Sequence, residues 1–239
     1  MPDPIQWIIE ANGSISFQLH QLPDQKIELL FPEWFTAGPE RWNGSCTDFK
    51  TTPTTAVGSW QRESVAADLT LEYHQQLPEM RVDWKFNFHN HTDHPIHNLA
   101  AFNCVSLNHA PLFKDLAMDR TWVTNDQGGK VPLATIAKSQ GGERRTMQFY
   151  PAVGGIDVAA AQGIIRYDVI SPDSLAGDRV TVVSADAHHQ IETIVRGPVA
   201  YFFNNWESDH GCIHAAPLFP PPSSPVNPPP LPAPSSSPS

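Results

Sequence analysis

Positive charge is scarce in this chain. Fifteen Lys and Arg stand against twenty-five Asp and Glu, giving a formal net charge of −10 and a pI near 5.4. Nucleic acid and anionic membrane surfaces attract basic patches, and the only compact basic run is Arg144-Arg145, so neither is an expected partner. Cysteine is nearly absent. Cys46, Cys104 and Cys212 are few and odd in number, which argues against a disulfide framework and for a reducing, cytoplasmic location. No apolar run approaches the roughly 18 residues of a membrane span. The opening stretch MPDPIQWIIEANG has neither a basic region nor a long apolar one, so no leader is expected. Phosphate and dinucleotide loops (G-x-x-x-x-G-K-[ST], G-x-G-x-x-G) and the G-x-S-x-G nucleophile elbow are missing, which removes the commonest nucleotide-binding and serine-hydrolase signals. Sustained 3.6-residue periodicity is missing too, so long helices are not expected.

What is present is period-2 alternation. Ile15, Phe17 and Leu19 alternate with polar residues before a turn at Pro23-Asp24, and Ile27, Leu29 and Phe31 continue the pattern after it. The clearest hairpin pairs Leu69, Leu71 and Tyr73 with Val82, Trp84, Phe86 and Phe88 across a turn containing Pro78. Apolar faces of this kind need a second layer, which predicts an antiparallel β-sandwich. Residues 96–107 are apolar on both faces, as a central strand would be. Further strands are expected at 121–124, 131–136, 146–150, 163–170, 179–185 and 190–203, punctuated by Gly-Gly pairs. Residues 32–62, rich in Pro, Thr and Trp, read as a long loop packed by its own aromatics. The expectation is one all-β domain over 1–219. From 220 to 239 there are ten Pro, six Ser and no charge, the composition of a disordered tail with polyproline II character.

Two stretches concentrate chemistry. Residues 82–99 read VDWKFNFHNHTDHPIHNL. If the strand runs past Phe88, His89 and His91 share its polar face, and an H-x-H pair can give a metal two imidazoles. His94 and His97 read as turn residues beside Thr92-Asp93-His94-Pro95. Downstream, residues 209–214 read DHGCIH. There His210, Cys212 and His214 share a face if extended, with Glu207 and Asp209 adjacent. The metal reading assigns zinc or iron to His89, His91, His210, Cys212 and His214. The alternative is that these are polar or partly buried residues of a sandwich rim. Cys104, amid apolar neighbours, reads as a core thiol.

Other residues suit a sugar. Asn204, Asn205, Trp206, Asp209 and His210 offer hydroxyl-recognising and stacking groups, and Asp115, Asp119, Glu207 and Asp209 offer general acids and bases. Trp34, Trp42, Trp60, Trp122 and Trp206 lie in or beside expected loops, where they could stack on a ring or pack locally.

Residues 69–113 resemble the core of galactose-mutarotase-like sandwiches, the supersandwich group. The likeness lies in paired long strands followed by Asn90-His91-Thr92 and then Asn98-Leu99, where aldose epimerases carry N-H-[ST]-Y-F-N-L. This chain has Asp93-His94-Pro95-Ile96-His97 in place of the aromatic pair. The resemblance implies acid/base chemistry by a histidine and a glutamate, with His91 at the motif position and Glu207 as the base. Joined to the downstream cluster, it gives a carbohydrate-recognising sandwich. His91, Glu207 and His210 are then catalytic, and Asn90, Asn204, Asn205, Trp206 and Asp209 bind a carbohydrate or other small polar ligand. A metal-binding protein or metal-dependent enzyme is the second reading, and a non-catalytic structural or interaction module is the third.

Overall fold

The computed structural model describes residues 5–38, 40–76, 79–139, 147–158, 169–206 and 211–219. Sixteen strands run in chain order: β1 (Ile5–Ile9), β2 (Ile15–Leu19), β3 (Leu22–Ala37), β4 (Glu40–Asn43), β5 (Thr47–Thr51), β6 (Thr55–Arg62), β7 (Val65–Gln76), β8 (Glu79–Asn90), β9 (Ala100–His109), β10 (Thr121–Asn125), β11 (Lys130–Pro132), β12 (Met147–Pro151), β13 (Leu175–Val183), β14 (Gln190–Ile194), β15 (Val199–Trp206) and β16 (Gly211–Pro217). Two short 3-10 turns are the only helical elements among the described residues, and no helix is long and apolar enough to cross a membrane.

The strands form three antiparallel sheets. The largest has eight, in the order β1-β2-β3-β9-β16-β15-β12, with β4 also paired to β3. The others have four each, β5-β6-β7-β8 and β11-β10-β13-β14. One apolar cluster draws on all three, so both small sheets cover the same face of the large one. At one junction Phe35 of β3 meets Trp60, Phe86 and Phe88 at ring-centroid distances of 4.9, 5.5 and 5.1 Å. At the other, Val180 and Val182 of β13 join Phe202, Trp206, Ile213 and Ala215 of β15 and β16. This is the all-β, sandwich-like architecture that alternation predicts.

The hairpin β7–β8 follows the expected register. Leu69 faces Phe86, Leu71 faces Trp84 and Tyr73 faces Val82, which puts all six of these side chains on one side. β9 is buried along nearly its whole length, because both of its faces are covered and it has strands on either side.

The expected loop over 32–62 is instead mostly strand. β3 continues through Pro32 to Ala37 because the register shifts between Leu30 and Trp34. A proline at such an irregularity removes no ladder hydrogen bond. Beyond it Trp34 faces Phe102 and Phe35 faces Ala101, and in β5 and β6 the inward residues are Phe49, Ala56 and Trp60. Strand 190–203 is two strands separated around Gly197-Pro198, and 131–136 is a short strand running into a 3-10 turn. Most of 163–170 and all of 220–239 lie outside the described residues.

Candidate functional site: a buried cysteine and histidine cluster

The second face of the large sheet carries its own apolar cluster, including Trp34, Phe102, Met147, Phe149, Tyr201, Phe203 and two cysteines. Strand pairing builds a site there. On β16, Cys212 faces Ser106 and Ile213 faces Val105 of β9, so His214 stands beside Cys104, the next residue along. On the other side Asn205 faces Cys212 and Phe203 faces His214. Across β9, Leu30 faces Cys104 and Glu28 faces Ser106. Side chains on facing positions of one sheet face are neighbours. Two rungs result: Leu30, Cys104, His214 and Phe203 form one, and Glu28, Ser106, Cys212 and Asn205 form the other.

The ligating atoms of Cys104, Cys212 and His214 all lie within 4.8 Å of one another, the only such group of three His, Cys or acidic residues among the described residues. His214 Nε2 is 3.0 Å from Cys212 Sγ. Exposure is 3% for Cys104, 7% for Cys212 and 1% for His214. The imidazole is held by ring packing, with Phe102 at 4.2 Å and Phe203 at 4.9 Å, and Phe102 in turn stacks on Trp34 at 3.8 Å. The Cys212 sulfur beside Cys104, together with burial and the negative charges of Glu33 and Glu28, holds the Cys104 thiol well above its usual pKa.

Three donors of this type suit a soft or borderline ion. A tetrahedral ion with bonds of about 2.0 Å to nitrogen and 2.3 Å to sulfur spaces its donors about 3.5–3.8 Å apart, inside the spread observed here. A disulfide fits less well. Cys104 and Cys212 are diagonal rather than directly opposite, and diagonal positions lie about 7–8 Å apart at Cα. Bridged cysteines need about 4.4–6.8 Å. Both are free thiols, as is the buried Cys46.

The other sequence-predicted residues fall in different places. His89 lies on the exposed face of β8, with Nε2 3.0 Å from Asp68 Oδ2 across the hairpin. His91 follows the end of that strand, also exposed, its ring 6.2 Å from that of His89. No third donor joins the pair in a cluster of that kind among the described residues. Asn90 closes the turn: its Oδ1 accepts from Thr92 N–H and hydroxyl at 2.9 and 2.6 Å, and its Nδ2 donates to the His94 carbonyl at 2.8 Å. Trp206 is 0% exposed and sits on the inter-sheet face, where a Cβ on the facing Gly211 would come within 2.6 Å of its ring. Asn204 is buried and donates to Met118 Sδ at 3.4 Å. Asn205, one residue on, points to the other face and lines the cavity beside the cluster. Glu207, Asp209 and His210 lie outside the described residues. Asp115 is buried and accepts from Thr121 Oγ1 and Arg120 N–H at 2.8 and 3.0 Å, a turn-closing role. Of the five expected loop tryptophans, Trp34, Trp60 and Trp206 are core.

Sequence reasoning placed Cys212 and His214 together and missed Cys104. Its apolar surroundings are those of any central strand, and only the pairing of β9 with β16 brings it to the cluster. Fold and site together define an all-β sandwich-like protein with a buried Cys-Cys-His cluster on the outer face of its large sheet. No protein-family model, curated protein or solved structure matches the chain.

Proposed function

We propose that the protein binds a metal ion, zinc first, through Cys104, Cys212 and His214. The observation that carries this reading is the convergence of three buried donor atoms within 4.8 Å. Two thiolates and an imidazole favour zinc, with iron as a weaker competitor that prefers other ligand sets. Burial supports it further, because buried polar groups are costly unless partnered. Among the described residues the Nδ1 of His214 has no hydrogen-bond partner. The test is elemental analysis of tag-free protein, with competition against a chromophoric chelator. One equivalent of zinc bound by the native chain, and none by a C104S/C212S double variant, is the expected result. Sub-stoichiometric metal in well-folded native protein would remove the reading.

A second reading is supported by the cavity of about 150 Å³ beside the cluster, lined by Glu28, Glu33, Asn108 and Asn205 between Phe102 and Phe203. Carboxylates and amides flanked by rings suit a small hydroxyl-bearing molecule such as a sugar, which is the ligand class implied by the mutarotase-like resemblance. An anomer-exchange assay and a glycan array test it, and blank results on folded protein would sink it.

A further inference from the structure

We propose that a metal at this cluster keeps one coordination position open to the adjoining cavity, and that Ser106, Asn205 and Glu28 form there the binding site of a neutral, hydrogen-bonding ligand. This rests on the metal reading above and deepens it.

The donor count comes first. A zinc site that serves structure is closed by four protein ligands, whereas a site that works on a substrate has three, with water or substrate in the fourth place. Three donors converge among the described residues. Among the described residues the space beside them is not filled by packing. A cavity of about 150 Å³ is lined by all three donors and by Ser106, Asn205 and Glu28.

Ser106 is 3% exposed, and neither its Oγ nor the Asn205 Oδ1 has a hydrogen-bond partner among the described residues, although both atoms are buried. Nearly all buried polar atoms in folded proteins are satisfied. These two flank Cys212 on one rung, Ser106 on β9 and Asn205 on β15. One can donate and both can accept, so a ligand seated between them above the metal would satisfy both.

Charge then narrows the ligand. Two thiolates neutralise a divalent ion, and Glu28 adds a carboxylate to the cavity lining. Glu28 is anchored through Oε1 by the Ser14 hydroxyl at 2.6 Å. A carboxylate beside a neutralised centre disfavours small anions and favours a neutral donor such as water, an alcohol or an azole.

The full chain loaded with cobalt(II) tests this, with imidazole and azide as probes. Sulfur-to-cobalt charge-transfer absorption reports the metal, and the d–d bands report the fourth position. Imidazole is expected to shift the d–d bands in a saturable way, and azide to bind at least about tenfold more weakly. Asn205→Leu is expected to weaken imidazole by about tenfold with the charge-transfer band intact, and Ser106→Ala gives a second variant should the leucine chain not fold. Glu28→Gln is expected to narrow the gap between the two probes. Charge-transfer absorption with d–d bands indifferent to imidazole means a fourth protein ligand closes the site, and overturns the open position while leaving the metal. Absence of any charge-transfer band overturns the metal reading and this one with it.

Discussion

Two short motifs in this chain, His89-Asn90-His91 and Cys212-Ile213-His214, have the same alternating spacing and opposite fates. Each begins on a strand that puts alternate residues on one face. β8, however, is the edge of its four-stranded sheet, whereas β16 is flanked by β9 and β15. An edge strand has one neighbour to supply further groups, and the outer face of β8 looks into solvent, so His89 finds Asp68 and the ring of His91, and no third donor among the described residues. An inner strand has neighbours on both sides. Cys212 and His214 therefore meet Cys104 from one side and Asn205 and Phe203 from the other. A ligand pair in sequence becomes a site only when the strands beside it contribute.

The contrast between the two motifs makes measurable differences. Within β8 itself, Phe86 points into the junction with Phe35 while His89 points outward. Phe86→Ala is expected to lower stability by about 3–5 kcal/mol in urea unfolding. A loss below about 1 kcal/mol would mean that the four-stranded sheet is not integral to the core. Next, Cys212→Ser or Cys104→Ser is expected to weaken zinc by more than about a hundredfold in chelator competition. The H89A/H91A double variant should leave affinity and stoichiometry unchanged, and a loss of metal there would move the centre to the exposed pair.

Smaller effects follow. Zinc at about a hundred times its Kd should raise unfolding free energy by about 2.7 kcal/mol, and C104S/C212S should abolish the gain. Equal stabilisation in the variant would place the ion elsewhere. His89→Ala should cost under about 1 kcal/mol, because its contact with Asp68 is largely exposed and solvent screens it. The smallest expected effect is at Glu10, where hydrogen bonds from Lys26 and then Ser16 hold the carboxyl below its usual pKa. Such a group stabilises fully above the pKa of the unfolded carboxyl, and that stability is lost as pH falls through the lowered folded value. Glu10→Gln should thus trail the native chain by under about 1 kcal/mol at neutral pH and match it in acid. A constant gap across the titration would assign the effect to packing instead.

Much of the fold was legible in the alternation. Leu69, Leu71 and Tyr73 against Val82, Trp84 and Phe86 specify a hairpin and its register, since a one-residue slip would turn every apolar side chain outward. The passage through Pro32 was not legible, because a bulge that tolerates proline is defined by the facing strand rather than by local composition. The tryptophans misled for a related reason. Trp34 and Trp60 sit among turn-forming residues in the sequence, yet strand pairing carries both into cores.

By itself, then, the sequence determined the fold class and the common face of Cys212 and His214, because both follow from the two-residue period of an extended chain. Strand pairing brings Cys104 to them and turns Asn205, not Trp206, into their cavity. Those outcomes depend on which strand lies beside which. That choice comes from burying all three sheets around one core, over contacts distant in the chain that no local pattern encodes.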